Sequence, residues 1–309
     1  MSAYLARRLV RSVVTLWLVA SIVFVAFRLA GDPLNVLLPD STDPITRAFY
    51  IEKWGFDKPL VEQYLRYFYN LAQGNLGQSY VSGRDVTAII AEALPNTLLL
   101  GLTALAGSVL LGVGAGVVAA LFRGTVIDRG VMLASVLAFS VPDYVLGVAL
   151  IFVFAVQWMV LPSSGSATWA HMILPLVTIA SSGAARIARF ARSAMLDALN
   201  APYLRTARAK GLREGRVVLR HALRNALIPI VTVLGFQLGF VLGGAAVVET
   251  VFAWPGIGRL FVLSTAARDL PVVQALTLLI AAGVIAANLA VDLAYGWLDP
   301  RISLSGGRA

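Results

Sequence analysis

A single acidic residue lies in an apolar stretch where a charge is costly. From Gly130 to Ala185 the only charged side chain is that of Asp143. A carboxylate within a membrane-spanning helix usually faces a cavity or a partner. Asp143 therefore has three interpretations: it faces a solute pathway and favours a positive group or a metal on the solute, a neighbouring subunit satisfies it, or the span is drawn too deep. Asp292 shares a helical face with Asn288 and Tyr295, and its predicted role is a structural contact.

Catalytic and metal-binding chemistry has few candidates in this chain. There is no cysteine, and the two histidines, His171 and His221, are far apart in the sequence, which argues against a metal site. None of the lysines (Lys53, Lys58, Lys210) follows a glycine as in the phosphate loop G-x-x-x-x-G-K-[ST]. We therefore predict no catalytic residue, no metal site and no cofactor bound by this chain. Gly112 and Gly116 lie in an apolar helix without a preceding strand, so they predict close helix packing rather than dinucleotide binding.

A basic polar segment interrupts the apolar sequence at residues 191–225. Asn200 and Pro202 predict a helix start, and Gly211 predicts a left-handed stop after Lys210. A second helix fits residues 213–225, so the segment predicts a compact knob. Its charge alone is explained by a solvated loop, but its length and its glycine corner favour docking of another protein. The lack of base-stacking aromatic residues other than Tyr203 argues against nucleic acid.

The composition and the apolar runs indicate a membrane protein. The chain has 309 residues, of which 59% are hydrophobic and 13% charged, far fewer charges than the roughly 25% of a soluble domain. A membrane-spanning helix needs about 20 apolar residues. Six such spans are predicted, at residues 9–30, 95–122, 130–158, 171–190, 226–248 and 273–297.

Basic residues predict the orientation of these spans. The segment 191–225 with its flank carries ten basic residues against Asp197 and Glu214, whereas residues 31–92 carry five basic and eight acidic residues. Basic loops remain in the cytoplasm, so both termini are predicted to be cytoplasmic. Residues 31–92 are then external, and their aromatic clusters predict an ordered segment.

Two sequence features lie near the fifth span. Gly235, Gly239 and Gly243 share one helical face, which predicts close packing; the alternative is that Gly239 and Gly243 line a pathway. The run from Glu249 to Gly258 combines a carboxylate, Trp254 and a Pro-Gly turn on the external side. Its simplest interpretation is an aromatic anchor at the membrane interface.

Four motifs together resemble one family. They are Tyr203–Leu212 followed by Arg220–Pro229, Phe27–Pro33, Glu249–Gly258, and Val291–Tyr295 with Leu298–Arg301. In this order and at these distances from the spans, they resemble ABC-importer permeases of the dipeptide/oligopeptide B type. Two segments depart from the family pattern: Arg205-Thr206-Ala207 stands where Glu-Ala-Ala is usual, and Asp143 follows Pro142 where a small or neutral residue is usual.

The resemblance implies a fold and a set of site residues. It implies an all-α membrane protein with six transmembrane helices of the type I ABC importer permease kind. The expected units are residues 1–30, an external segment 31–92, and a permease core 93–309 that contains the coupling loop 191–225. The loop would dock an ATPase through Tyr203, Thr206, Ala207, Ala209, Lys210, Gly211 and Leu212. An outer gate would include Glu249, Trp254, Pro255 and Gly256.

The resemblance also implies partners and a mechanism. The chain would pair with a second homologous permease as a heterodimer in the lipid bilayer of a bacterial inner membrane. Two ATPase subunits would hold ATP and Mg, and an extracytoplasmic solute-binding protein would deliver di- or oligopeptides for alternating-access import. Alternatives are nickel chelates, opines or glycosides as solutes. A proton-coupled transporter that uses Asp143 and Asp292 stays open as a different class, whereas an intramembrane enzyme lacks its motifs.

Overall fold

The chain is helical throughout the part that the structure describes. The computed structural model describes residues 2–29, 34, 38 and 42–298, and no strand occurs among them. In chain order the helices are α1 (Ser2–Leu29), α2 (Pro44–Trp54), α3 (Leu60–Ala72), α4 (Val86–Leu121), α5 (Val126–Ser140), α6 (Asp143–Leu150), α7 (Ala170–Leu199), α8 (Pro202–Ala209), α9 (Glu214–Arg216), α10 (Leu223–Phe240), α11 (Ala246–Val251), α12 (Ile257–Ala266) and α13 (Leu270–Leu298). The π-helical turns Ile151–Gln157 and Val217–Ala222 continue α6 and join α9 to α10.

Four helices in the described part of the chain are long and apolar enough to cross a membrane, and the count is six if each bent helix pair forms one span. The four are α1, α4, α7 and α13, and they correspond to the first, second, fourth and sixth predicted spans. Helix α4 has 36 residues and is therefore about 54 Å long at 1.5 Å per residue. It exceeds the bilayer core of roughly 30 Å, so α4 also reaches the layer outside it.

The third predicted span is not one helix. Helices α5 and α6 are bent by 97° at the break between Ser140 and Asp143. Pro142 disfavours helical backbone in the residue before it, and Val141 is extended with φ −83° and ψ 121°. The prediction of a continuous helix at residues 130–158 was wrong because the apolar composition hid this proline.

The fifth predicted span, residues 226–248, is also divided. Helix α10 ends at Phe240, and a turn that contains Gly243 and Gly244 separates it from α11. Glycine is a poor helix former because its backbone loses most entropy on folding. Residues after Phe240 therefore belong to a separate connecting segment.

The segment that was predicted to be external is ordered between Thr42 and Glu92, where the structure describes it. Helix α3 packs against α1: the hydroxyls of Ser21 and Tyr64 are 2.8 Å apart, and Tyr64 stacks edge-on against Phe24. Trp54 stacks on Tyr80 with ring centroids 4.4 Å apart. These aromatic contacts confirm the prediction of an ordered segment for residues 42–92.

Glycines allow α4 and α7 to approach backbone to backbone. A Cβ on Gly112 would lie 2.7 Å from the carbonyl oxygen of Ala184, and one on Gly116 would lie 2.6 Å from that of Ala188. Ser108 Oγ donates to the carbonyl of Ala180 at 3.2 Å across the same interface. Small residues in this spacing allow close packing in a bilayer, which confirms the packing prediction for Gly112 and Gly116.

Glycines also bring α10 against α13. A Cβ on Gly235 would lie 2.2 Å from Val291, and one on Gly243, just after α10, would lie 2.9 Å from Ile280. Gly239 is looser, with its nearest atoms on Ala287 and Val284 at 3.9 Å. Close packing against α13 therefore accounts for this glycine face, and the pathway role of Gly239 and Gly243 stays a prediction.

We expect Gly116→Ala to destabilise the protein and Gly114→Ala to leave it intact. The added methyl at 116 collides with backbone and costs about 1–3 kcal/mol. Gly114 belongs to the same helix but has nothing within 4 Å of its Cβ position, so alanine there adds up to about 1 kcal/mol of helix propensity. Thermal unfolding of the purified variants in detergent measures the difference. Equal melting of both variants would contradict the close approach of α4 and α7.

Candidate functional site

The basic segment forms a knob, here residues 200–222, that is fixed to the end of α7. Its buried side chains form one cluster, the knob cluster, which includes Met195 of α7, Leu204 of α8, and Val217 and Ala222 of the π-helical turn. Leu204 and Val217 are fully buried. Because α7, α8, the π-helical turn and α10 all contribute to this cluster, α8 is held on α7 and α10.

The local sequence explains the shape of the knob with one correction. Pro202 is the first residue of α8, and Gly211 has φ +72°, as predicted. Asn200 is not the cap of α8, because it ends α7 and the extended Ala201 precedes α8. The second predicted helix, residues 213–225, runs on through α9 and the π-helical turn into α10 without a break.

Two ion pairs brace the knob. The guanidinium of Arg208 bonds both carboxylate oxygens of Glu214, at 3.1 and 2.7 Å, across the corner at Gly211. At the base, Arg192 of α7 bonds both oxygens of Asp128 at 2.6 and 2.8 Å, and the amide of Gly124 donates to the same carboxylate. Bidentate arginine–carboxylate pairs fix orientation as well as distance, so α5 and α7 are joined beside the knob.

The predicted docking residues divide into two groups. Tyr203, Thr206, Ala209, Lys210 and Gly211 are exposed. Ala207 is buried and the partly buried Leu212 packs against the knob cluster, so these two residues mainly hold α8 in place. A small exposed surface therefore remains on α8 and its C-terminal corner, with Ala209 and Gly211 as its small residues. Docking of a partner there stays a prediction.

Glu249 lies at the centre of a second site, the junction of α4, α11 and α12. Its side chain is 0% exposed. Thr97 Oγ1 of α4 donates to Glu249 Oε1 at 2.7 Å, and the amide of Arg259 donates to Glu249 Oε2 at 3.0 Å. The amide of Ile257 in turn donates to Thr97 Oγ1 at 2.8 Å. Glu249 and Thr97 thus cap the N-terminus of α12 from outside that helix, satisfying amides that a helix leaves unpaired.

The junction has only neutral donors around a buried carboxylate. Burial raises the pKa of Glu249, and the hydrogen bonds from Thr97 and from the amides of Arg259 and Gly258 act in the opposite direction. A Cβ on Gly256 would lie 2.4 Å from the carboxylate, so this position has no room for a larger residue. Each neighbouring group donates, so a carboxylate satisfies the site and an amide would not.

Trp254 and Pro255 complete the junction. Trp254 is 3% exposed, and its Nε1 donates to the carbonyl of Asn96 at 3.0 Å. Asn96 Nδ2 donates to the carbonyl of Pro255 at 3.1 Å. The interface-anchor interpretation of Trp254 was wrong, because a buried indole does not reach the membrane interface. The role of Glu249, Trp254, Pro255 and Gly256 as an outer gate stays a prediction.

The predicted pathway residues are placed differently from one another. Asp143 is the first residue of α6, directly after the break at Pro142, and is partly exposed. The prediction that Asp143 lies in the middle of a continuous span was therefore wrong. Asp292 forms an ion pair with Arg8 of α1, which confirms its predicted structural contact. The side chain of Tyr295 and all of Asp32 lie outside the described residues.

Thr97, Asn96, Asp128 and Arg192 were not singled out in the sequence. Asn96 and Thr97 are ordinary polar residues at the edge of an apolar run, and their partners are more than 150 positions away. Asp128 carried one signal: it is a lone acidic residue between basic residues on the predicted cytoplasmic side. Pairing it with Arg192 required the packing of α5 on α7.

We expect Glu249→Gln to destabilise the protein by about 1–3 kcal/mol, because the amide nitrogen would face a donor and leave a buried group unsatisfied. Glu92→Gln is the matched control, since Glu92 is exposed and pairs only at the surface with Arg84; a surface change costs at most about 0.5 kcal/mol. Thermal unfolding in detergent compares the two. If both variants melt alike, Glu249 is not the cap described here.

Comparisons with known proteins identify the family. Residues 112–304 match the binding-protein-dependent transport system inner membrane component, and residues 1–101 match the N-terminal family of the same membrane components. The chain is 43% identical over 300 residues to the glutathione transport system permease protein GsiC of Escherichia coli (strain K12), covering 97% of this chain and 98% of that protein. GsiC of Pectobacterium atrosepticum gives the same identity and coverage.

Solved structures show the same fold. The MetNI methionine ABC transporter in an inward-facing conformation matches with a TM-score of 0.58 and 21% identity, covering 69% of this chain and 97% of that one. An amino acid ABC transporter solved with histidines matches with a TM-score of 0.51 and 16% identity, covering 70% and 95%. With its apolar helices, its knob and both family matches, the chain belongs to the binding-protein-dependent transport permeases, the inner-membrane subunits of ABC importers.

Proposed function

We propose that this permease imports small peptides, with glutathione or a di- or oligopeptide as the solute. The observation that carries the proposal is the 43% identity to glutathione transport permeases over nearly the whole of both chains. Solute choice in such a system depends largely on a separate binding protein, which delivers the solute from outside. Nickel chelates, opines and glycosides are the alternatives that solute tests must separate.

In this proposal, partner chains supply the free energy for import. Two ATPase subunits hold ATP and Mg, and one of them docks on the exposed surface of α8. The chain pairs with a second homologous permease, and both of its termini lie in the cytoplasm. This orientation rests on the basic residues of the knob, which favour the cytoplasmic side.

The contacts of the knob support transmission of ATPase motion. A force on α8 acts on the knob cluster and therefore on the ends of α7 and α10. Helix α7 is packed backbone to backbone on α4, and the N-terminal part of α4 carries Thr97, which contacts Glu249. We infer that α4 and α7 move as one body that links the docking surface to the junction at Glu249.

A proton-coupled mechanism has less support. It would need Asp292 as a proton site, but Asp292 is paired with Arg8. Asp143 alone remains as a carboxylate that could face the pathway, and there it would favour a positive group on the solute. Glutathione and other peptides each carry an amino group that fits this requirement.

We expect Lys210→Glu to abolish retention of the ATPase subunits and uptake without loss of folding. Lys210 is exposed at the corner of α8, so the reversed charge meets the docking partner and leaves the knob cluster intact. Arg129→Glu, an equally exposed position on α5, is the control for charge on the same side. Co-purification from mild detergent, followed by mass spectrometry, measures retention. Full retention by Lys210→Glu together with normal uptake would contradict docking at α8.

We expect cells that carry this permease and its partner subunits to accumulate labelled glutathione, with unlabelled di- and tripeptides as the competitors that reduce uptake. The host is a strain without its own glutathione uptake. The solute-binding protein recovered with the complex is tested in parallel for thermal stabilisation by glutathione, peptides, nickel chelates and glycosides. Stabilisation by a glycoside or a nickel chelate alone would overturn the peptide assignment while leaving the importer intact.

A further inference from the structure

A cavity of about 360 Å³ lies between α2, α3, the C-terminal end of α1 and the N-terminal end of α13. Its walls come from the end of α1, the inner face of α3, the loops at residues 53–58 and 75–80, and the start of α13. Ligand pockets in proteins begin at about 300 Å³. The cavity is separate from both the knob and the junction at Glu249.

The charged side chains that line the cavity are all basic. Its described lining includes Arg28, Lys53, Lys58 and Arg66 and no carboxylate. Lys58 and Arg66 have acidic neighbours, Asp57 at 3.2 Å and Glu62 at 3.4 Å. Both ion pairs are exposed and therefore weak. An anionic ligand can thus replace Asp57 or Glu62 as the partner of the basic side chain. The charge of the site therefore fits an anionic group.

Two buried polar atoms in the lining of this cavity lack a hydrogen-bond partner in the described structure. They are Gln63 Oε1 and Tyr67 Oη. Gln63 Nε2 donates to the carbonyl of Lys58 at 2.7 Å, so the amide is oriented and its free oxygen needs a donor. Burial raises the pKa of Tyr67 to about 12, so its hydroxyl keeps its proton and can donate. A ligand that satisfies both atoms must provide an acceptor for the Tyr67 hydroxyl and a hydroxyl or amine donor for Gln63 Oε1.

Part of the cavity, here called its apolar end, lies against the hydrophobic span of α13. It is lined by Phe24, Leu71, Ala275 and Leu278. Leu278 lies eight residues into the span that begins at Leu270, about 12 Å along the helix. A small hydrophilic anion would gain nothing from contact with these apolar side chains, whereas an acyl chain would pack against them.

We propose that this cavity binds an anionic phospholipid with a hydroxyl-bearing headgroup, of the phosphatidylglycerol type, from the leaflet on the α3 side. The phosphate lies among Lys53, Lys58 and Arg66, with Tyr67 donating to it. A headgroup hydroxyl donates to Gln63 Oε1, and an acyl chain passes Leu71 towards Leu278. Basic pockets beside transmembrane helices recognise lipid headgroups through the same combination of charge and depth.

The test is native mass spectrometry of the full chain with its retained partners, titrated with phosphatidylglycerol, phosphatidylethanolamine or glycerol 3-phosphate. We expect phosphatidylglycerol to bind at least about tenfold more tightly than phosphatidylethanolamine, and the double variant Lys53→Gln/Arg66→Gln to lose about tenfold or more, as removal of two near-surface charges implies. Arg84→Gln, on the same segment but outside the cavity, should bind like the parent protein. Leu278→Trp should also weaken binding by filling the apolar end.

Three results would overturn the proposal. Equal binding of both phospholipids would remove the role of charge. Equal loss in Arg84→Gln and in the double variant would make the effect a general surface property. Binding of glycerol 3-phosphate as tight as that of phosphatidylglycerol, unchanged in Leu278→Trp, would assign the cavity to a soluble anion. None of these outcomes depends on uptake of a peptide, so failure here leaves the proposed import function untouched.

Discussion

The backbone contact between α4 and α7 is the constraint on which the rest of the structure depends. In lipid the apolar faces of two helices gain little by leaving the solvent, so close packing and hydrogen bonds must hold them. Gly112, Gly116 and Gly183 allow the two backbones to touch, and Ser108 bonds across them. Because α7 continues into the knob cluster and α4 carries Thr97 to the junction, this one contact aligns both candidate sites.

The junction at Glu249 makes a local loop dependent on a distant helix. Helix α12 is short, and the amides at its start have no intrahelical partners. Glu249 and Thr97 satisfy three of them, at Ile257, Gly258 and Arg259. A displacement of α4 along its axis would break the two hydrogen bonds of Thr97, to Glu249 and to the amide of Ile257, in the dry interior, where they are costly to lose. The loop between α11 and α12 is therefore linked to α4 through Thr97 and Glu249.

The sequence predicted the helices better than their interruptions. Long apolar runs identified α1, α4, α7 and α13, and Pro202 and Gly211 defined α8, because each signal is local. The breaks at Pro142 and after Phe240 were missed since apolar composition averages over a single proline or glycine pair. The partners of Glu249 and Asp128 could not be found at all, because Thr97 and Arg192 come near them only after α4, α5 and α7 have packed. The caps and ion pairs of the sites are thus consequences of tertiary structure.

The position of Asp143 changes the energetic argument about its charge. A carboxylate halfway along a continuous transmembrane helix needs a cation or a cavity to offset its desolvation. Asp143 instead begins α6, where the helix dipole favours a negative group. The break itself therefore supplies part of the stabilisation, and a neighbouring subunit is not needed to explain the charge. A partly exposed carboxylate at a helix start therefore needs no buried partner, and its role in a solute pathway stays a prediction.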